Sequence, residues 1–247
     1  MKLGKLAARA DTRTLRLARY LTPALPAPPV AVDWTRKVVQ PWGMCANDVL
    51  GDCTIAAAAH MIDCWTANAG HETVIQTPAV LAAYSSFCGY NPADPTTDCG
   101  GVEVDVLNGW RQTGIGGHKI EAYAAVSAEN FDHVRQAISL FGGLYLGLML
   151  PAGVQGAASW DAPPSAVAQE WSPGSWGGHA VPAIAYDAVG LTVITWGAPL
   201  NMTWDFFKTY CDEAYAIISP DFLGGANETP GGFDLASLQA DLALVTG

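Results

Sequence analysis

Charge is scarce in this 247-residue sequence, at 14% of residues, and positive charge is scarcest: 12 Lys and Arg stand against 23 Asp and Glu, for a net charge of −11. Such an acidic chain is a poor partner for nucleic acid, since phosphate binding needs a basic face. Long apolar runs are missing as well. The longest stretch, near Leu144–Leu150, is too short to span a bilayer and is interrupted by Gly147. The basic N-terminal residues are not followed by an unbroken apolar segment, so no secretory signal is expected and the chain is expected in the cytoplasm, with its cysteines mostly reduced. There is no CxxC, HExxH or phosphate-loop pattern, and the cysteines and histidines do not fall at ligand spacings, so neither a metal nor a cofactor is expected.

What is present is a globular composition, half of it apolar, in a chain long enough for one sizeable core or for two lobes sharing a cleft. The charge is unevenly spread. Lys2, Lys5, Arg9, Arg13, Arg16 and Arg19 precede residue 30, where Asp11 is the lone acid. Residues 1–21 form a basic, leucine-bearing arm, and residues 22–32 a Pro-rich connector. The arm suits docking onto an acidic surface, its own or a partner's, or else it is a solvated terminus. The chain therefore divides into an arm and linker (1–31), a body (32–219) and a Gly-rich tail (220–247) with one short helix expected at 235–244.

Within the body a helix is expected from Asp52 to about Ala69, with Asp52 as N-cap, Ala56–Ala59 as strong helix formers and Gly70 as the stop. Its apolar residues lie nearly all round, which predicts burial. Further helices are expected near 77–87, 102–111 and 128–140, then strands at 144–150, 180–186, 191–196 and 214–219. Helices first and antiparallel strands later indicate an α+β fold.

Cys53 opens the first helix, where backbone N–H groups and the helix dipole favour a thiolate. A cysteine nucleophile needs a histidine beside it. His60 lies on the same helix face, but at about 1.5 Å rise per residue it is roughly 10 Å away along the axis, so it is expected to be a packing residue. His71, His118 and His133 sit at a helix end, after a Gly-Gly loop and on a surface helix, and are expected to be structural. His179 follows Trp176-Gly177-Gly178 and opens the apolar strand HAVPAIAY, a position from which it can face a cleft.

These residues resemble the papain-like cysteine-peptidase family. The segment from Asn47 through Gly51 and Cys53 resembles its nucleophile motif, in which a glutamine lies six residues before the cysteine. His179-Ala180-Val181 resembles its His-Ala-Val strand, Thr195-Trp196-Gly197 part of its Asn-Ser-Trp-Gly motif, Cys99-Gly100-Gly101 its Cys-Asn-Gly-Gly segment, and Val32-Asp33-Trp34 the start of its mature chain. Order and rough spacing agree over about residues 32–219. The resemblance implies a helical lobe headed by Cys53 facing a β-lobe that carries His179. It implies a cysteine peptidase in which His179 deprotonates Cys53, Asn47 and the Cys53 N–H hold the oxyanion, and Gly100 and Gly101 line an extended peptide or protein substrate.

The sequence departs from that pattern in four places. Ile194 stands where the family has its orienting asparagine. Thr195 carries a hydroxyl, but adjacent strand residues face opposite ways, so its use requires a shift of register; Asp187 and Asn201 are further candidates. Asn47 is one methylene shorter than glutamine. Leu50 replaces the usual partner of the Cys99 position, leaving Cys45–Cys99 or Cys88–Cys99 as alternative pairings. The residues before Asp33 are too few for the usual helical prodomain. Two functions are therefore expected: a peptidase, favoured because both reacting residues and an oxyanion amide remain, or a weak or inactive papain-fold component of a larger assembly such as a virion, joined to a protein partner through residues 1–30.

Overall fold

In a computed structural model, residues 1–11, 14–21, 26–163 and 169–222 are described. Five α-helices are found among them: α1 (Cys53–Asn68), α2 (Thr77–Cys88), α3 (Glu103–Gln112), α4 (Phe131–Phe141) and α5 (Trp204–Tyr210). Eight strands accompany them: β1 (Val32–Asp33), β2 (Ala122–Ala125), β3 (Leu144–Leu150), β4 (Ser159–Trp160), β5 (Gly177–Tyr186), β6 (Gly190–Thr195), β7 (Ala198–Thr203) and β8 (Cys211–Ile218). The strands join in the order β2-β8-β3-β5-β6-β7-β4, with β1 added to β5, and all pairings are antiparallel except β4 with β7. This is the expected α+β class, and the expected helices and strands in the body recur with boundaries shifted by a few residues, whereas β1, β2, β4, β7 and α5 were not foreseen. The helix expected at 235–244 lies outside the described residues.

Helix α1 is buried from Cys53 to Ala67, as its all-round apolar pattern predicts. The run Ala56–Ala59 lets the helix back directly onto β5, because methyl side chains permit close approach. Gly70, with φ +88°, ends it as expected. Asp52 occupies the N-cap position, but its side chain makes no capping bond, contrary to expectation. Instead its carboxyl is buried, and burial pushes its pKa up to about 7 against an opposing bond from the Asn47 side chain.

The sheet has a core on each face. One unites Leu146, Val181 and Val193 with Ile138 of α4 and Phe206 of α5. The other gathers Ile55, Met61 and Trp65 of α1, Tyr84 of α2 and Trp110 of α3. Trp65 and Trp110 stack there with ring centroids 5.6 Å apart.

The basic arm docks on its own body. Leu15, Leu17 and Tyr20 enter the first core, and the Ala125 N–H donates to the Leu15 carbonyl at 2.7 Å. Lys2 pairs with Asp98, and Arg9 pairs with Asp105. All six cysteines are free thiols. Among the described residues no helix is long and apolar enough to cross a membrane.

Candidate active site

Cys53, at the tip of α1, and His179, near the start of β5, line one small cavity together with Asn47, Thr195 and Trp196. Its volume of about 10 Å³ is room for about one water. The Ala180 N–H, next along β5 from the histidine, donates to Cys53 Sγ at 3.5 Å. The two segments foreseen to carry the reacting groups therefore meet.

Thr195 reaches the ring through an irregularity of the sheet. Between Ala183 and Ala185 the pairing of β5 with β6 shifts by one residue, so that Ala183 faces Val193 while Ala185 faces Thr192. Side chains alternate along strands, so Val181 and His179 share the face of Ala183, and Thr195 shares the face of Val193. The slip turns the hydroxyl of Thr195, and not Ile194, toward the histidine. His179 Nε2 and Thr195 Oγ1 lie 2.8 Å apart. Ile194 packs on the opposite face with Cys64 and Ile184. The other two orienting candidates are engaged elsewhere: Asp187 accepts the Val189 and Gly190 N–H groups, and Asn201 accepts the Thr192 hydroxyl. His179 Nδ1 is buried with no hydrogen-bond partner. Trp196 stacks on the imidazole, with centroids 4.5 Å apart and planes 14° apart. That contact was not foreseen, although the Thr-Trp-Gly motif contained the residue.

Asn47 uses Nδ2 to donate to the Leu50 carbonyl at 3.0 Å, and its side chain also bonds to the Asp52 carboxyl. Where an open groove was expected, residues 1–6 of the arm fill it. The Gly101 N–H donates to the Gly4 carbonyl at 2.8 Å, and the Leu6 N–H returns a bond to the Gly101 carbonyl at 2.9 Å. On the other wall the Lys5 N–H donates to the Gly178 carbonyl at 3.1 Å. The Trp196 indole donates to the Lys2 carbonyl at 3.4 Å. Glycine is required along this track. A Cβ at Gly100 would lie 1.9 Å from the Gly4 carbonyl oxygen, and one at Gly178 would lie 2.2 Å from that of Lys5. Gly100 and Gly101 thus border an extended peptide, which here is the chain's own.

Closure sets the electrostatics. Cys53 and His179 are each 1% exposed. Burial pushes the Cys53 thiol up to about 12, against the opposing N–H groups of Ala180 and Gly4. Burial likewise lowers the His179 imidazole to about 3. Both groups are therefore neutral at pH 7 in this form.

A second cysteine and histidine also lie close: Cys45 Sγ is 3.8 Å from His60 Nε2. The same nitrogen lies 3.0 Å from the Trp42 carbonyl and 3.2 Å from that of Gly43, so it carries the proton and donates it there. It has no lone pair to offer a thiol. His118 Nδ1 sits 3.0 Å from Asp221. Among the described residues no group of three His, Cys, Asp or Glu is placed to hold a metal ion.

No protein-family model and no curated protein matches the sequence. Solved structures do. The chain is similar to xylellain, a cysteine protease from Xylella fastidiosa, with TM-score 0.64 and 16% identity over 88% of this chain and 96% of that one. It is also similar to a Carica candamarcensis cysteine protease (TM-score 0.55, 13% identity, 77% of this chain and 99% of that one). Digestive procathepsin L 3 of Tenebrio molitor gives TM-score 0.58 and 11% identity over 85% of this chain and 75% of that one. The α1 tip, the β5 histidine and these neighbours together give the chain a divergent form of the papain-like cysteine-protease fold.

Proposed function

We propose that the chain is a thiol-dependent peptidase whose groove is closed by its own arm in the form described. Cys53 is the nucleophile and His179 the base. Thr195 fixes the ring, and Asn47 with the Cys53 N–H holds the oxyanion. The observation that carries this is the one-sided engagement of His179, which lines one cavity with Cys53: Nε2 meets a hydroxyl while Nδ1 is buried with no partner. With Nε2–H donating to Thr195, Nδ1 is the basic nitrogen available to the thiol. Displacing the arm readmits water, which relieves the burial that keeps both groups neutral. Peptide or protein substrates would then take the track along Gly100, Gly101 and Gly178.

The test uses the full chain with Cys99→Ser, which removes the exposed thiol. Gly4→Val displaces the arm, because a Cβ there would fall 1.8 Å from the Gly51 carbonyl oxygen. Iodoacetamide at pH 7.5 is expected to label Cys53 at least about 10-fold faster in this variant than in its parent, alongside peptide hydrolysis. Labelling of Cys45 or Cys88 instead would count against the assignment.

The alternative, an inactive papain-fold component of an assembly, is favoured by the burial and neutrality of Cys53 and His179. It predicts that Gly4→Val leaves both labelling and hydrolysis absent.

A further inference from the structure

Beside the cavity, the arm sinks one charged side chain completely. The side chain of Lys5 has no exposed surface, and its Nζ lies 2.8 Å from Asp212 and 2.9 Å from Glu213. Asp212 and Glu213 are adjacent on β8 and would face opposite ways in a regular strand. The pairing of β3 with β8 shifts at this point, Gly147 facing Glu213 while Leu148 faces Cys211, which leaves Asp212 as the extra residue. The bulge turns both carboxylates to one ammonium. Glu103, at the start of α3, faces the same ammonium from the other lobe; burial pushes its carboxyl well above the usual range, Lys5 opposes this, and both of its oxygens are buried without a hydrogen-bond partner. Gly147 makes room for the stem: a Cβ there would lie 2.1 Å from Lys5 Cε. Burial alone would lower the Lys5 pKa, but the acids reverse this and raise it to about 12. Emptied of lysine, the pocket would hold three carboxyl groups with no cation, a costly arrangement.

We propose that Glu103, Asp212, Glu213 and Gly147 form a lysine-specific subsite of the groove, so that substrates place a lysine side chain where Lys5 now sits. This rests on the groove being the substrate site. It deepens that reading by naming the chemistry selected: an extended peptide with a long, unbranched, cationic side chain. The arm then acts as an internal ligand that uses the substrate's own anchor.

Binding can be measured without turnover. The full chain carrying Cys53→Ala and Lys5→Ala is titrated, by fluorescence anisotropy, with a labelled peptide of residues 1–10 and with the same peptide bearing norleucine at its fifth residue. The lysine peptide is expected to bind at least about 30-fold more tightly, because norleucine keeps the stem but leaves the acids unpaired. Adding Asp212→Asn and Glu213→Gln is expected to bring the two peptides within about threefold of each other. Equal binding of the peptides in the first chain, a preference that survives neutralisation of the pocket, or no binding of the lysine peptide at millimolar concentration would each overturn the proposal. Should Lys5→Ala melt early by circular dichroism, Gly4→Val replaces it, since it displaces the arm and leaves the pocket intact. Selective binding by a chain that never hydrolyses peptide would retire the peptidase reading and leave the subsite standing.

Discussion

Two cysteine–histidine neighbourhoods lie at either end of the first turns of α1, and the pair in sulfur–nitrogen contact is the less suited to chemistry. Cys45 and His60 approach to 3.8 Å, yet the nitrogen that faces the sulfur is committed to two backbone carbonyls. That histidine is a clamp between α1 and the loop before it. At the other site the histidine is fixed through Nε2 by Thr195, which leaves Nδ1 uncommitted. The difference is that the His179 ring keeps a buried, unpartnered nitrogen, which the proposed base needs, whereas the His60 nitrogen facing the sulfur is spoken for.

The strongest way to break this comparison is to remove each sulfur. In the Gly4→Val chain, Cys53→Ala is expected to lower peptide turnover by at least about 10³-fold, and Cys45→Ala by less than about threefold. The opposite pattern would move the nucleophile to Cys45. Next in size is Thr195→Val, which removes the hydroxyl at nearly constant volume. It is expected to lower kcat by about 10- to 100-fold with KM little changed and to displace the acid limb of the pH–rate profile, whereas Thr195→Ser restores most of the rate. A change confined to thermal stability would make Thr195 merely structural.

His60→Ala tests the clamp. Leaving the carbonyls of Trp42 and Gly43 without a donor is expected to cost about 1–3 kcal/mol in urea unfolding, with turnover per folded molecule unaltered. The last test concerns Asp63, whose charge bears on Cys45. Burial raises its pKa from 3.8 to about 7, while its Oδ1 accepts the Ile75 N–H at 2.9 Å. Between about pH 4 and pH 7 the folded chain keeps a proton that the unfolded chain has lost, so this group's contribution falls as pH rises through that window. Asp63→Asn keeps the acceptor and removes the titration. Urea unfolding at pH 5 and pH 8 is expected to show wild type losing on the order of 2 kcal/mol relative to the variant.

Much of the framework was legible from the sequence for local reasons. Alanines and Gly70 bounded α1, Pro78 opened α2, and apolar stretches located β3, β5 and β6. The encounter of the Cys53 and His179 segments was expected only through resemblance. What stayed hidden depends on register and long-range docking. Thr195 shares a face with His179 because the β5–β6 pairing slips at Ile184, and nothing near Thr195 announces that slip. Asp212 and Glu213 read as an ordinary acidic doublet until a bulge turns both the same way. Lys5 lies more than two hundred residues from these partners, and no periodicity connects them. The cysteine at 45 gave no sign of its contact with His60, since the approach depends on the left-handed backbone at Cys45 and Ala46.

Because Leu15, Leu17 and Tyr20 are rooted in the core, the six residues in the groove are a tethered ligand, and against the proposed substrates they would compete at an effective concentration on the order of millimolar for so short a connection. Dilution cannot loosen such a plug. A cut between Leu6 and Leu15 would turn it into an ordinary diffusible fragment, one that simple washing could remove.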